Sequence, residues 1–345
     1  MLASTLLLIA LLCCGLLISV PYAEMSPGPT YNTLGEQGGK PVITISGHPS
    51  YATTGHLNMT TVQVSMADYR MNLAEMIAGW LSSSTAVIPK SVIYPDNQTE
   101  QQAEQQNAEE FSASQDSAKA AALTQLGYPV GTEVVVQQVV QGAPALGHLH
   151  AGDVIQAVDG TKVTQPEQVA QLVTRHAPGQ QVVFTVTPQG KGSSDAHQVT
   201  VTTVKSPQTG KAMVGIVPGT EHTFPFDIAI NLGDVGGPSA GLMFTLGIID
   251  KLQSTDLTGG QFVAGTGTID PNGNVGAIGG IAMKTIAARG AGARWFFTPA
   301  DNCAEAAAHV PAGLRLIRVS TLKQALDDLA EIRSGDTAAL PACAR

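Results

Sequence analysis

The stretch Asn231–Asp250, NLGDVGGPSAGLMFTLGIID, decides how this chain is read. Gly236, Gly237 and Pro238 make a tight bend, Ser239 stands on it, and Ala240-Gly241 lead into an apolar run. Glycine reaches backbone angles closed to other residues, and proline suits the first turn of a helix. The pattern therefore predicts a turn entering a buried helix, with one hydroxyl at its mouth. Unpaired amides at such an end can hold an oxyanion. Taken in isolation, Ser239 reads as a helix N-cap, a position where serine is common. As a nucleophile it needs a base.

His222 and His309 lie in the same region, but neither has a triad-like context. Lys284 is the better candidate. It follows Gly279-Gly280 in IGGIAMKTIAARG, a helical pattern that surrounds it with Ile281, Met283, Ile286 and Ala287. An aliphatic setting lowers a lysine pKa and leaves neutral amine near pH 7–8. The plainer reading is a solvated lysine beside a core stripe. Around these motifs, MVGIVPG and FPFDIAINL read as strands, Pro271-Asn272-Gly273-Asn274 as a hairpin turn, and residues 291–334 as alternating strands and helices. That pattern is α/β.

Gly237-Pro238-Ser239-Ala240-Gly241 resembles the nucleophile motif of Lon-type proteases, and TGTIDPNGNVGAIGGIAMK resembles their second motif. The resemblance implies a Ser239–Lys284 dyad, separated by 45 positions, with Lys284 four residues after Gly280. It also implies that Thr266 supports the lysine, and that Gly236, Gly237, Pro238 and Ala240 form the supporting, oxyanion-side loop. Two features depart from the pattern. Gly236 stands where many such enzymes carry Asp, with Asp234 two positions earlier, and Ala282 replaces a second lysine. No G-x-x-x-x-G-K-[ST] occurs in the chain, so no P-loop is evident.

Upstream, Ala143-Pro144-Ala145, Leu149, Gly152-Asp153-Val154-Ile155 and Val158-Asp159-Gly160 resemble a bacterial PDZ domain. That resemblance implies a groove for an extended peptide, beside a helix near Glu167–His176. Leu126-Gly127-Tyr128 is a candidate carboxylate-binding loop; its other reading is a helix end capped by Gly127.

Met1–Ala23, MLASTLLLIALLCCGLLISVPYA, carries no charged side chain. As a helix it would span about 34 Å, against a hydrocarbon core of roughly 30 Å. It is read as a transmembrane anchor or a signal segment, with the remaining chain on the extracytoplasmic side of the cell membrane. SPGPTYNTLG then reads as an exit that no helix continues through. The expected organisation is an α+β or α/β multidomain chain. It has an N-terminal transmembrane helix (1–23), a small β/α region with a polar, Ala-rich helical connector (24–128), and a PDZ domain (129–205). A Lon-type domain of mixed sheet and helices (206–335) and a tail (336–345) follow. Anchor, PDZ and Lon-type domain together resemble a bacterial family of ATP-independent, membrane-tethered proteases.

Composition narrows the partners. Charged residues make up 13% and the formal net charge is -9, with no Lys/Arg run. That argues against nucleic acid. The four cysteines show no metal-ligand spacing. Cys303 and Cys343 are either bridged or free. The expectation is an ATP-independent serine endopeptidase without metal, nucleotide or other cofactor, acting on protein or peptide substrates. Its oligomeric state stays open, a homo-oligomer among the options. Two alternatives stand beside it: a non-catalytic PDZ adaptor, and a kinase-like domain that holds phosphate on the Gly-Pro-Ser-Ala loop.

Overall fold

The computed structural model describes residues 3–5, 15–95, 99–191, 193–233 and 235–344. They form two compact units: residues 1–128 with 226–345, and residues 129–225. The first unit opens with strands β1 (Tyr22–Asn32), β2 (Ile43–Ser46) and β3 (His56–Val64). Helix α1 (Leu73–Leu81), strand β4 (Ala86–Pro89) and the long helix α2 (Glu100–Gln125) follow. Both helices start with capping boxes, Asn72 with Glu75 and Thr99 with Gln102, so their orphan amides are satisfied by adjacent side chains.

The second unit comprises β5 (Gly131–Val139), β6 (Val154–Val158), α3 (Pro166–Val173), β7 (Gln181–Thr187), β8 (His197–Thr202) and β9 (Ile216–Thr223). Its sheet runs β8-β7-β6-β5-β9, antiparallel throughout, so β9 lies at an edge. Val136, Leu149, Ile155, Val182 and Phe184 fill its core. All but Leu149, which lies in the loop before β6, are apolar positions of alternating strands, turned to one face.

The chain then returns to the first unit with β10 (Asp227–Ile230), α4 (Gly241–Leu252), β11 (Phe262–Gly265), β12 (Thr268–Ile269) and β13 (Val275–Gly276). It ends with α5 (Ile281–Gly290), β14 (Trp295–Pro299), α6 (Cys303–Ala308), β15 (Arg315–Val319) and α7 (Leu322–Ser334). The main sheet is mixed, in the order β15-β14-β11-β3-β1-β4. Strands β3, β11, β14 and β15 are parallel, while β1 is antiparallel to both of its neighbours. β10 pairs with β2, and β12 with β13. Cys303 and Cys343 are bridged, and Ala342 forms a bridge with Ile317 of β15, which fastens the last residues to the sheet.

The expected transmembrane helix is not supported. Residues 1–2 and 6–14 of that run lie outside the described residues. Among the described residues, no helix is long and apolar enough to cross a membrane. The end of the run is also sheet: Ser19 bridges Asn72, and Tyr22 and Ala23 pair with Pro89 and Ile88 of β4. Ala23 is buried in that sheet, so pairing and burial outweigh the apolar run's bias toward helix.

Two further differences follow from the topology. SPGPTYN is strand, because a register shift between Pro27 and Thr30 absorbs the prolines as a bulge. The segment 24–128 shares its sheet and its core with residues 226–345. Helix α2 is one helix whose second half is buried through Phe111, Ser114, Ala118 and Ala120–Leu123.

Candidate active site

The site lies where the Gly-Pro-Ser turn enters α4. Gly237 adopts φ 82°, a left-handed angle that favours glycine. Its N–H donates to the Asn107 carbonyl at 2.9 Å, and the Pro238 carbonyl accepts from Ser114 Oγ at 3.0 Å. Both partners are on α2, so the connector grips the nucleophile turn. Below the turn α4 is almost wholly buried, with Phe244 set edge-on to Phe111 at 5.8 Å. Ala240, not Ser239, is the capping residue of α4, and it makes no side-chain cap bond.

Lys284 is on α5, which starts at Gly280 in the left-handed region (φ 69°). A Cβ there would stand 2.6 Å from Met25 Sδ and 2.9 Å from Val62 Cγ1, so β1 and β3 require glycine at this position. The helix presents Lys284 to the nucleophile: Nζ lies 2.7 Å from Ser239 Oγ and 3.1 Å from Thr266 Oγ1. Lys284 is 2% exposed, and burial pulls its amine down from 10.5 to about 7. Thr266, also buried, donates its own proton to the Ser239 carbonyl at 2.9 Å. Its oxygen is then free to accept an amine N–H, which turns the nitrogen lone pair toward Ser239.

The Gly267 N–H also donates to the Ser239 carbonyl, at 2.9 Å. Among the described residues, the amides of Ser239 and Ala240 take no backbone acceptor. They stand at the start of α4, where the helix dipole favours negative charge. A cavity of about 340 Å³ opens on Ser239, lined by Pro29, Tyr31, Met59, Thr61 and Val62 of β1 and β3. A second, of about 620 Å³, reaches the same serine past Tyr94, Asn107 and Glu110. An extended chain can thus pass on both sides of the hydroxyl. The arrangement suits acyl transfer. It does not suit a phosphate loop, which would want its lysine charged and open to ligand.

Ser239, Lys284, Thr266, Gly236, Gly237, Pro238 and Ala240 therefore meet in one place. Asp234 lies outside the described residues. The cavity walls from β1 and β3 and the grip from α2 are long-range features with little trace in the local sequence. The only local signals were the apolar alternation around MTTVQVSM and the small residues of α2. Leu126, Gly127 and Tyr128 lie elsewhere in the first unit. Leu126 ends α2, Gly127 takes φ 77° with its N–H on the Thr124 carbonyl, and Tyr128 N–H reaches the Leu123 carbonyl. That is a helix C-cap.

Residues 196–331 match the Lon protease (S16) C-terminal proteolytic domain, and residues 103–203 match the PDZ domain. The chain carries a Lon-type proteolytic domain. It is a domain of serine-type peptidases, and a PDZ domain precedes it. Over 142 residues the chain is 34% identical to Lon protease of Chloroflexus aggregans, covering 40% of this chain and 17% of that protein. Over 107 residues it is 34% identical to Lon protease 2 of Bacillus subtilis, covering 30% and 19%. The chain thus spans less than a fifth of each of these relatives. The PDZ domain of the SdrC-like protein from Listeria innocua is similar at 23% identity, covering 25% of this chain and 92% of that one, with a TM-score of 0.22. The Lon-type match leaves out β1, β3 and all of α2, although these elements wall and brace its site.

In the second unit, edge strand β9 faces α3 across a groove of about 440 Å³. Val169, Ala170 and Val173 line one side, and Gly215, Ile216 and Pro218 the other. An edge strand beside an apolar helix face accepts an extended peptide as an added strand. The sequence reading saw MVGIVPG only as a strand. The signal it passed over is Gly215 set between Val214 and Ile216.

Proposed function

We propose that this chain is an endopeptidase in which Ser239 is the nucleophile and Lys284 the general base. The observation that carries the reading is the buried 2.7 Å contact between Lys284 Nζ and Ser239 Oγ. Neutral Lys284 takes the Ser239 proton as Oγ attacks the scissile carbonyl. The oxyanion forms against the Ser239 and Ala240 amides. The ammonium then gives its proton to the leaving amine, and the acyl-serine remains. Water, deprotonated by the same amine, releases the acid and restores the serine. Thr266 holds the lysine in register throughout.

No nucleotide enters these steps, and the 345 residues contain no P-loop motif. The substrates in this reading are unfolded or exported proteins, captured by an extended segment in the groove beside β9. The setting is extracytoplasmic, supported by the Cys303–Cys343 bridge, since disulfides persist in oxidising compartments. Contact with a lipid surface belongs to the same reading. Ile77, Trp80 and Leu81 form one exposed face of α1, and Leu16, Leu17 and Ile18 of the apolar N-terminal run are exposed as well. The adaptor alternative has no use for a lysine buried against a serine. The test is degradation of an unfolded protein without ATP, by the wild type and by Ser239→Ala. Equal cleavage by the two would overturn the reading.

A further inference from the structure

The nucleophile turn has an unusual anchorage. Pro238 has no N–H, and two backbone groups of the turn, the Gly237 N–H and the Pro238 carbonyl, meet partners on a neighbouring helix. Helix α2 takes both. Asn107 accepts from the Gly237 N–H at 2.9 Å, and Ser114, two turns further along the same face, donates to the Pro238 carbonyl at 3.0 Å. Ser114 is 6% exposed, and 124 positions separate it from Pro238. A buried hydroxyl committed to one carbonyl in this way fixes the direction of that carbonyl.

A peptide unit is planar and trans, so its C=O and the next N–H point in opposite directions. Holding the Pro238 carbonyl toward α2 therefore aims the Ser239 N–H away from α2. The next peptide is held in the same manner. Thr266 Oγ1 and the Gly267 N–H both donate to the Ser239 carbonyl, which aims the Ala240 N–H. Two successive amides are thus set before substrate arrives, one from each side of the turn. A donor on a peptide carbonyl also polarises that unit and strengthens its N–H as a donor.

We propose that Ser114 is a positioning residue for the oxyanion: it orients the Pro238–Ser239 peptide so that the Ser239 amide meets the charge that develops on the scissile carbonyl. The inference rests on the endopeptidase reading above. It assigns a role in the chemistry to α2, a helix that lies wholly outside the Lon-type match.

The test uses the full chain with Ser114→Ala and Ser114→Cys. The cysteine variant keeps the volume and loses the strong donor, so it reports even where alanine perturbs packing. Losing an interaction made only in the transition state lowers kcat and leaves KM unchanged. Removing a whole oxyanion donor costs about 10²–10³ in kcat, so misaiming one is expected to cost roughly tenfold. A peptide boronate, whose serine adduct places an oxygen in the same position, should lose affinity by the same factor. The pH midpoint of activity should stay in place, because the Lys284–Ser239 contact is untouched. Unchanged kcat in folded variants would overturn the inference, as would a loss expressed in KM or as a shifted midpoint. Ser239→Ala is measured alongside. If it is inactive while the Ser114 variants match wild type, the endopeptidase reading stands and only the role of Ser114 falls.

Discussion

Lys284 Nζ lies 2.7 Å from Ser239 Oγ although 45 positions separate the two residues, and among the described residues Thr266 is the amine's other hydrogen-bond partner. The amine must be neutral to accept a proton. Burial brings it to about 7, so activity should rise with pH through about 7 and then level off. Lys284→Arg should be inactive across that range, because a guanidinium stays charged. The pH dependence of kcat/KM on a short peptide checks both. A flat profile from pH 5.5 to 9 would contradict the base assignment.

The groove beside β9 gives a separable prediction. Ala170 lines it from α3 and is exposed, so Ala170→Arg should fill the groove without disturbing the core. KM for an unfolded protein substrate should rise several-fold, while cleavage of a short peptide stays at the wild-type rate. Loss of both activities would mean that the substitution damages the fold, and loss of neither would mean that capture occurs elsewhere.

How much of this was legible in the sequence depends on range. Ser239 and Lys284 stood out as candidates because glycines at short spacing mark them locally, Gly237 at φ 82° and Gly280 at φ 69° being positions the backbone reserves, whereas Thr266 was implied only by the resemblance to Lon-type proteases. The walls of the cavity were not found. Met59 reaches the site because β3 pairs with β11, setting Met59 opposite Gly265, and no local period announces a pairing across some two hundred residues. β1 was hidden by Pro27 and Pro29, which read as breakers until a bulge accommodates them. Helix α2 was legible as a polar, Ala-rich helix, but its buried face was hidden by its composition. Between Phe111 and Leu123 its buried face is built from Ser114, Ala118 and Ala120–Ala122, small residues that carry little hydrophobic signal. The apolar run to Ala23 misled in the opposite sense. Its end is strand: Tyr22 and Ala23 pair with β4, and Ala23 is buried in that sheet.

The exposed face of α1 makes a prediction about surfaces. Ile77, Trp80 and Leu81 are 47%, 58% and 83% exposed, and such a stripe with an aromatic at its centre suits a bilayer interface. Replacing the three by serine should weaken co-sedimentation with phosphatidylcholine vesicles by about tenfold or more, at ~0.8 kcal/mol for each buried CH₂ given up. Peptide cleavage in solution should not change. Undiminished vesicle binding would remove this face from the proposed contact.

The stability of the native state should carry the mark of the same lysine. Lys284 has its folded pKa near 7 and an unfolded value near 10.4. Between these values the unfolded chain binds a proton that the native state does not. Stability contributed by the neutral amine is therefore greatest above about 10.4 and falls as pH drops toward 7. Below 7 both states are protonated, and this group adds no further slope. A shift of this size corresponds to a few kcal/mol at neutral pH, borne by the fold to keep a base available. Lys284→Met keeps the aliphatic stem and removes the charge. It should abolish cleavage and yet raise the melting temperature at pH 7, and the gain should shrink as pH approaches 10.4. Denaturation of wild type and mutant at pH 7 and pH 10 measures the difference. A Met variant that is less stable than wild type at pH 7 would mean that the contacts of Lys284 with Ser239 and Thr266 hold the fold together, and that its burial imposes no strain in charge.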